Sequence, residues 1–101
     1  MRHDALMDND LSVLLREHMA TPFPTSVEKG IDYGLVDSVM IGADIYGWAS
    51  RIAAAEDLPE NERHGLMTAR DELVASLGAF PDDARPYYEL LVQIVIRALR
   101  D

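Results

Sequence analysis

The sequence predicts an all-α protein: a compact four-helix bundle with a short N-terminal helix, a long Pro/Gly loop, a long central helix and two further antiparallel helices. Three observations carry that expectation. Apolar residues recur at i, i+3, i+4 and i+7 in four separate stretches. Each stretch is bounded by proline, glycine or short acidic and amide side chains, the ordinary helix stop and start signals. No stretch alternates with period two and no Asn-Gly or Asp-Gly turn occurs, so β structure is not expected. At 101 residues the chain suffices for one core. Residues 1–101 are read as a single helical domain, with 1–8 expected to be a disordered lead.

The first helix is expected to open at Asp8-Asn9-Asp10, whose side chains can accept hydrogen bonds from free backbone amides and whose charges suit the positive end of the helix dipole. Leu11, Leu14, Leu15 and His18 then share one face, and the helix ends near Ala20, before Pro22. Residues 21–34 hold Pro22, Pro24, Gly30 and Gly34 and read as a connection.

The second helix is expected to begin between Asp32 and Leu35 and to run to about Asp57, as the longest element. Leu35, Val36, Val39, Met40, Ile41, Ile45, Tyr46, Trp48, Ala49 and Ile52 occupy nearly its whole circumference, the pattern of a helix contacted from several sides. Gly42 and Gly47 interrupt it, each at a cost of about 1 kcal/mol relative to alanine, so close approach of a neighbouring backbone is expected there.

Pro59 suits a first helical turn and Glu60 and Glu62 follow it where acids are favoured, so a third helix starts there. Its stripe is Leu66, Ala69, Leu73 and Leu77, and Gly78 is the expected left-handed stop. Beyond Phe80-Pro81, Asp82 or Asp83 is expected to cap a fourth helix with Pro86 in its first turn. Tyr87, Leu91, Ile94 and Ala98 form one stripe of it; Tyr88, Val92, Val95 and Leu99 form the next. Short turns make the last three helices antiparallel neighbours, while the long loop lets the first cross the bundle.

Composition removes many activities. With no cysteine there is no disulfide, thiolate nucleophile or zinc–thiolate site, and the chain has no need of an oxidising compartment. The first eight residues lack the hydrophobic run of a signal peptide, so a cytoplasmic location is expected. The longest apolar runs, 39–49 and 90–96, are about half a bilayer span, so no membrane is expected as a partner. A formal charge of −9 repels phosphate backbones and argues against nucleic acid.

No catalytic or metal motif appears. None of the glutamates Glu17, Glu56, Glu60, Glu62, Glu72 and Glu89 has a histidine three positions on, as di-iron bundles require. An EF-hand reading from Asp8, Asp10 and Ser12 meets Val13 where glycine belongs and Met19 where glutamate belongs. His3, His18 and His64 lie on separate segments, and no nucleophile elbow or phosphate loop exists. Neither enzyme activity nor a cofactor or metal is expected.

What remains is a polar line: Asp37, Asp44 and Arg51 recur every seven residues, with Tyr33 one turn before. It reads as the helix's solvent strip; the functional alternative is an Asp44, flanked by Tyr46, Gly47 and Trp48, that is partly buried and pairs with an arginine across the bundle or on a partner. Phe23, between two prolines, is either a plug for the bundle end or an exposed anchor. Tyr87-Tyr88 reads as core. The candidate binding residues are therefore Phe23, Tyr33, Asp37, Asp44, Trp48 and Arg51.

Pro22-Phe23-Pro24, followed by an acidic apolar helix with Val36-Asp37, Ala43-Asp44 and Gly47, resembles a group of small acidic all-helical proteins of actinobacteria. The resemblance implies a fold and a source; that group has no assigned activity, so it transfers no catalytic residue. Breadth of the apolar faces on 35–53 and 87–99 points to a protein-interaction or regulatory module, self-associating as a homodimer or bound to another protein. The alternatives are an acidic immunity-like inhibitor of a basic protein and a helical bundle holding a small molecule near Tyr46 and Trp48.

Overall fold

Thr21 ends the first helix as a hydrogen-bonded stop: its hydroxyl donates to the Glu17 carbonyl at 2.7 Å and its amide to that of His18 at 3.1 Å. Pro22, which has no amide hydrogen, follows. In the computed structural model, which describes the backbone of residues 2–100 and the side chains of 11–100, this helix is α1, Arg2–Ala20. It therefore starts earlier than the Asp8-Asn9-Asp10 cap expected from sequence. The side chains of that cluster lie outside the described residues.

The largest correction concerns residues 32–39. Instead of opening the second helix they form a hairpin, β1 (Asp32–Tyr33) and β2 (Val36–Asp37), paired antiparallel with Asp32 opposite Asp37 and Tyr33 opposite Val36. Gly34 sits at φ +63° at the first turn position and Leu35 follows at an ordinary φ, the pattern of a Gly-first two-residue turn. The turn lies directly on the end of the third helix. A Cβ at Gly34 would stand 2.6 Å from the Ser76 hydroxyl, and the Leu35 amide donates to that hydroxyl at 2.8 Å. Asp37 then accepts the amides of Val39 and Met40 at 2.9 and 2.8 Å, so α2 spans only Met40–Ala53.

At 14 residues α2 is the shortest of the four helices rather than the longest. It stops at Ala53 because Ala55 adopts φ +68°, with its amide on the Ile52 carbonyl and that of Glu56 on Arg51. This is the Schellman stop with alanine in glycine's usual place, a conformation costing about 1–2 kcal/mol for a residue with a Cβ.

The third helix, α3 (Glu60–Ser76), begins after Pro59, whose carbonyl receives the amides of Glu62 and Arg63. Its end differs from expectation, because Gly78 is not left-handed. The chain tightens into a 3₁₀ turn over Leu77–Ala79, and Arg85 donates to the freed carbonyls of Leu77 and Phe80 at 3.2 and 3.1 Å. Helix α4 (Arg85–Arg100) follows with Pro86 in its first turn.

The fold is the expected all-α four-helix bundle with a small hairpin added. Both α2 and α4 pack on every other helix. The centre, however, is α4, which buries Tyr88, Leu91, Val92, Ile94, Val95 and Ala98. Helix α2 buries only Ile41, Gly42, Ile45 and Ala49 and leaves Met40, Ala43, Asp44 and Gly47 exposed. No helix of the described residues is long and apolar enough to cross a membrane.

Candidate functional site

Val39, just before α2, and Gly42, Ala43, Tyr46 and Gly47 within it fall at i, i+3, i+4, i+7 and i+8, which places them on one face. Opposite this face stand His18 and Met19 from the last turn of α1, Phe23 from the loop behind it, and Tyr87 from the first turns of α4. Together they line an open cleft of about 390 Å³, at the small end of the range for ligand sites. The walls are almost wholly apolar or aromatic.

Neither glycine is explained by backbone or packing. Both have ordinary helical φ. A Cβ at Gly47 would meet nothing within 4 Å, and one at Gly42 would make an ordinary 3.6 Å contact with Leu91. The close backbone approach expected from sequence does not occur here. It occurs at Gly34 against Ser76, and at Gly65, where a Cβ would lie 3.0 Å from the Trp48 ring. Gly47 borders open space, while Gly42 lies buried against Leu91.

His18 is the second anomaly. It is 8% exposed, between the rings of Tyr87 at 5.2 Å and Tyr46 at 5.9 Å. Among the described residues its Nδ1 is the buried side-chain polar atom without a hydrogen-bond partner. Burial pushes its pKa below the ordinary histidine value, so the ring is neutral at neutral pH. Burial likewise raises the pKa of the Tyr87 hydroxyl. No three His, Asp or Glu side chains converge among the described residues.

Of the six residues singled out from sequence, only Phe23 reaches this cleft. It is half-buried, edge-on to Tyr87 at 5.6 Å, with the Lys29 ammonium 5.5 Å from its ring centre, so it closes the bundle end as a plug. Tyr33 stacks on Phe80 at 4.9 Å and its hydroxyl accepts the Glu28 amide. Asp37 caps the start of α2, and the amides of Met40 and Val39 hold its carboxyl below the usual range. Trp48 packs on Gly65.

Arg51 is bound to Glu62 and Glu56, which raise its pKa and tie the end of α2 to the start of α3. Asp44 is exposed, as the solvent-strip reading expects, and among the described residues no buried Asp44–arginine pair forms. The seven-residue line also fails, because Asp37 lies outside the helix. Sequence reasoning missed His18, Gly42, Gly47 and Tyr87 as members of one site. Two interior glycines on one face of a helix were the available signal. Compared with known proteins, the chain matches no family model, no curated protein and no solved structure.

Proposed function

We propose that this protein is a small, non-catalytic, cytoplasmic binding module whose working surface is the cleft between α1, α2 and α4. One observation carries the reading: three features that each lower stability line the same cleft, and the chain's own packing requires none of them. Glycine at 42 and at 47 costs about 0.5–1 kcal/mol each relative to alanine, and a buried polar group without a partner costs about 1–3 kcal/mol. Departures from local stability of this kind concentrate where a molecule works. The guest is an apolar group of modest size, because that is what the walls solvate.

The test is an NMR titration of the full chain with ethylbenzene and its para-hydroxy derivative, beside Gly47→Leu, which adds a bulky side chain at the rim of the cleft. Shifts at His18, Met19, Phe23, Ala43, Tyr46 and Tyr87 in the wild type, absent from the variant, are expected. Wild-type resonances unmoved by either probe would remove the reading.

The homodimer reading keeps one specific support. Met19, Leu35, Val39 and Met40 are 39–66% exposed on the elements that build or border the cleft, and adaptable methionines suit a protein contact. Light scattering at high micromolar concentration decides it, with a monomer counting against self-association.

A further inference from the structure

Resting on the cleft reading above, we infer that the guest is a neutral amphiphile, an apolar or aromatic body carrying a single hydroxyl, and that a ring nitrogen of His18 takes the hydroxyl. The apolar lining admits the body. His18 is the histidine of that lining, more than nine-tenths buried, with Nδ1 unpartnered among the described residues. A neutral imidazole has one donor and one acceptor nitrogen, and a hydroxyl both donates and accepts, so the pairing forms with either tautomer.

Charge excludes the other polar guests. A carboxylate would enter apolar walls beside a neutral ring with no cation among the cleft residues, and would do so against a chain charge of −9. Lys29 is not among the lining residues; its ammonium stands 5.5 Å from the Phe23 ring centre. An ammonium is attracted by the net charge, yet no carboxylate is among the lining residues to receive it once desolvated.

The geometry also accounts for histidine at position 18, where leucine would satisfy the core. Residues 11, 14, 15 and 18 share the inward face of α1, and Leu11 and Leu15 are buried. An apolar residue at 18 would leave no buried nitrogen unpaired. Histidine there leaves Nδ1 buried without a partner among the described residues.

The experiment compares 4-ethylphenol, ethylbenzene and 4-ethylbenzoate by NMR titration against the full chain and against His18→Leu, at neutral pH. The wild type is expected to bind 4-ethylphenol about tenfold more tightly than ethylbenzene, the fold-change one net hydrogen bond supplies. The two affinities should become equal in His18→Leu, while ethylbenzene binding persists and shows the variant's cleft intact. The His18 ring nitrogen resonances of the wild type should move with 4-ethylphenol and not with ethylbenzene, a readout that needs no variant. Equal affinities in the wild type, or a preference that survives in His18→Leu, would overturn the role of His18 while leaving the cleft as a binding site. Benzoate binding as tight as the phenol would overturn the neutral class. Failure of all three to bind would remove the cleft reading together with this one.

Discussion

Tyr87 and Tyr88 are neighbours on α4 whose surroundings obey opposite rules. Tyr88 points into the hairpin end. It is fully buried, stacked on Phe80 at 3.8 Å, and its hydroxyl donates to the Ser38 carbonyl at 2.8 Å. Around it the other buried polar side chains are also satisfied. Ser38 donates to the Glu28 carbonyl and accepts the Gly30 amide, and Ser76 accepts the amide of Leu35. Tyr87 faces the cleft, where His18 Nδ1 has no partner among the described residues and Gly47 borders open space. The hairpin end has the character of a finished core, and the cleft holds the polar atom that the core leaves without a partner among the described residues. Since the two tyrosine rings touch at 5.0 Å, the satisfied half supports the unsatisfied one.

The comparison breaks most visibly at the hairpin. Gly34→Ala must hold a Cβ at φ +63° and 2.6 Å from the Ser76 hydroxyl. A loss of about 2–4 kcal/mol is expected from the strain and the clash together. Urea unfolding measures it, with the denaturant slope unchanged as the sign that one transition is followed. A loss below 0.5 kcal/mol would mean that the turn does not rest on α3.

At the cleft the sign should reverse. Gly47→Ala is expected to stabilise by about 0.5–1 kcal/mol, because helix propensity is gained and the added methyl meets nothing. The same unfolding experiment shows whether the glycine was kept for space. Destabilisation there would imply a contact that the cleft does not contain.

His18 sharpens the contrast through pH. Its folded pKa is depressed by burial, so between that value and the ordinary one of about 6.5 the unfolded chain binds more protons than the folded one. Stability contributed by the neutral ring is therefore complete above pH 6.5 and is lost as pH falls through the folded pKa. The quantity to measure is the stability difference between wild type and His18→Leu from pH 7.5 to 5, in which contributions common to both chains cancel. The wild type should fall further. A difference constant with pH would show that the ring is not buried from solvent.

The smallest effect belongs to Asp44, exposed on the outer side of α2. Asp44→Ala is expected to change stability by no more than about 0.5 kcal/mol. A loss of several kcal/mol in urea unfolding would mean that Asp44 is buried and paired.

Asp44 and Phe23 show what pattern can express. The polar line puts Asp44 on the solvent strip of α2, where it lies; the apolar residues around it also suggested contact from several sides, and periodicity alone does not say which neighbours arrive. Phe23 between two prolines could only be a loop aromatic, so its place at a bundle end followed from local chemistry. Asp37 was legible as a polar residue near a helix start. That it caps the helix, and that a hairpin precedes it, depended on Gly34 landing against Ser76, 42 positions away.

The sequence by itself determined the helical class, the breaks near Pro22, Pro59 and Pro81, the buried stripes of α3 and α4, and the absence of thiol chemistry, because each rests on local backbone preference, residue identity or a repeat within one helix. Only the tertiary structure decided that α4 is the central helix, that Arg51 serves the α2–α3 junction, and that His18, Phe23, Gly42, Gly47 and Tyr87 meet. Those outcomes depend on which faces of separate helices come together. A glycine marks space, and a histidine lacks a partner, only relative to neighbours distant in the chain.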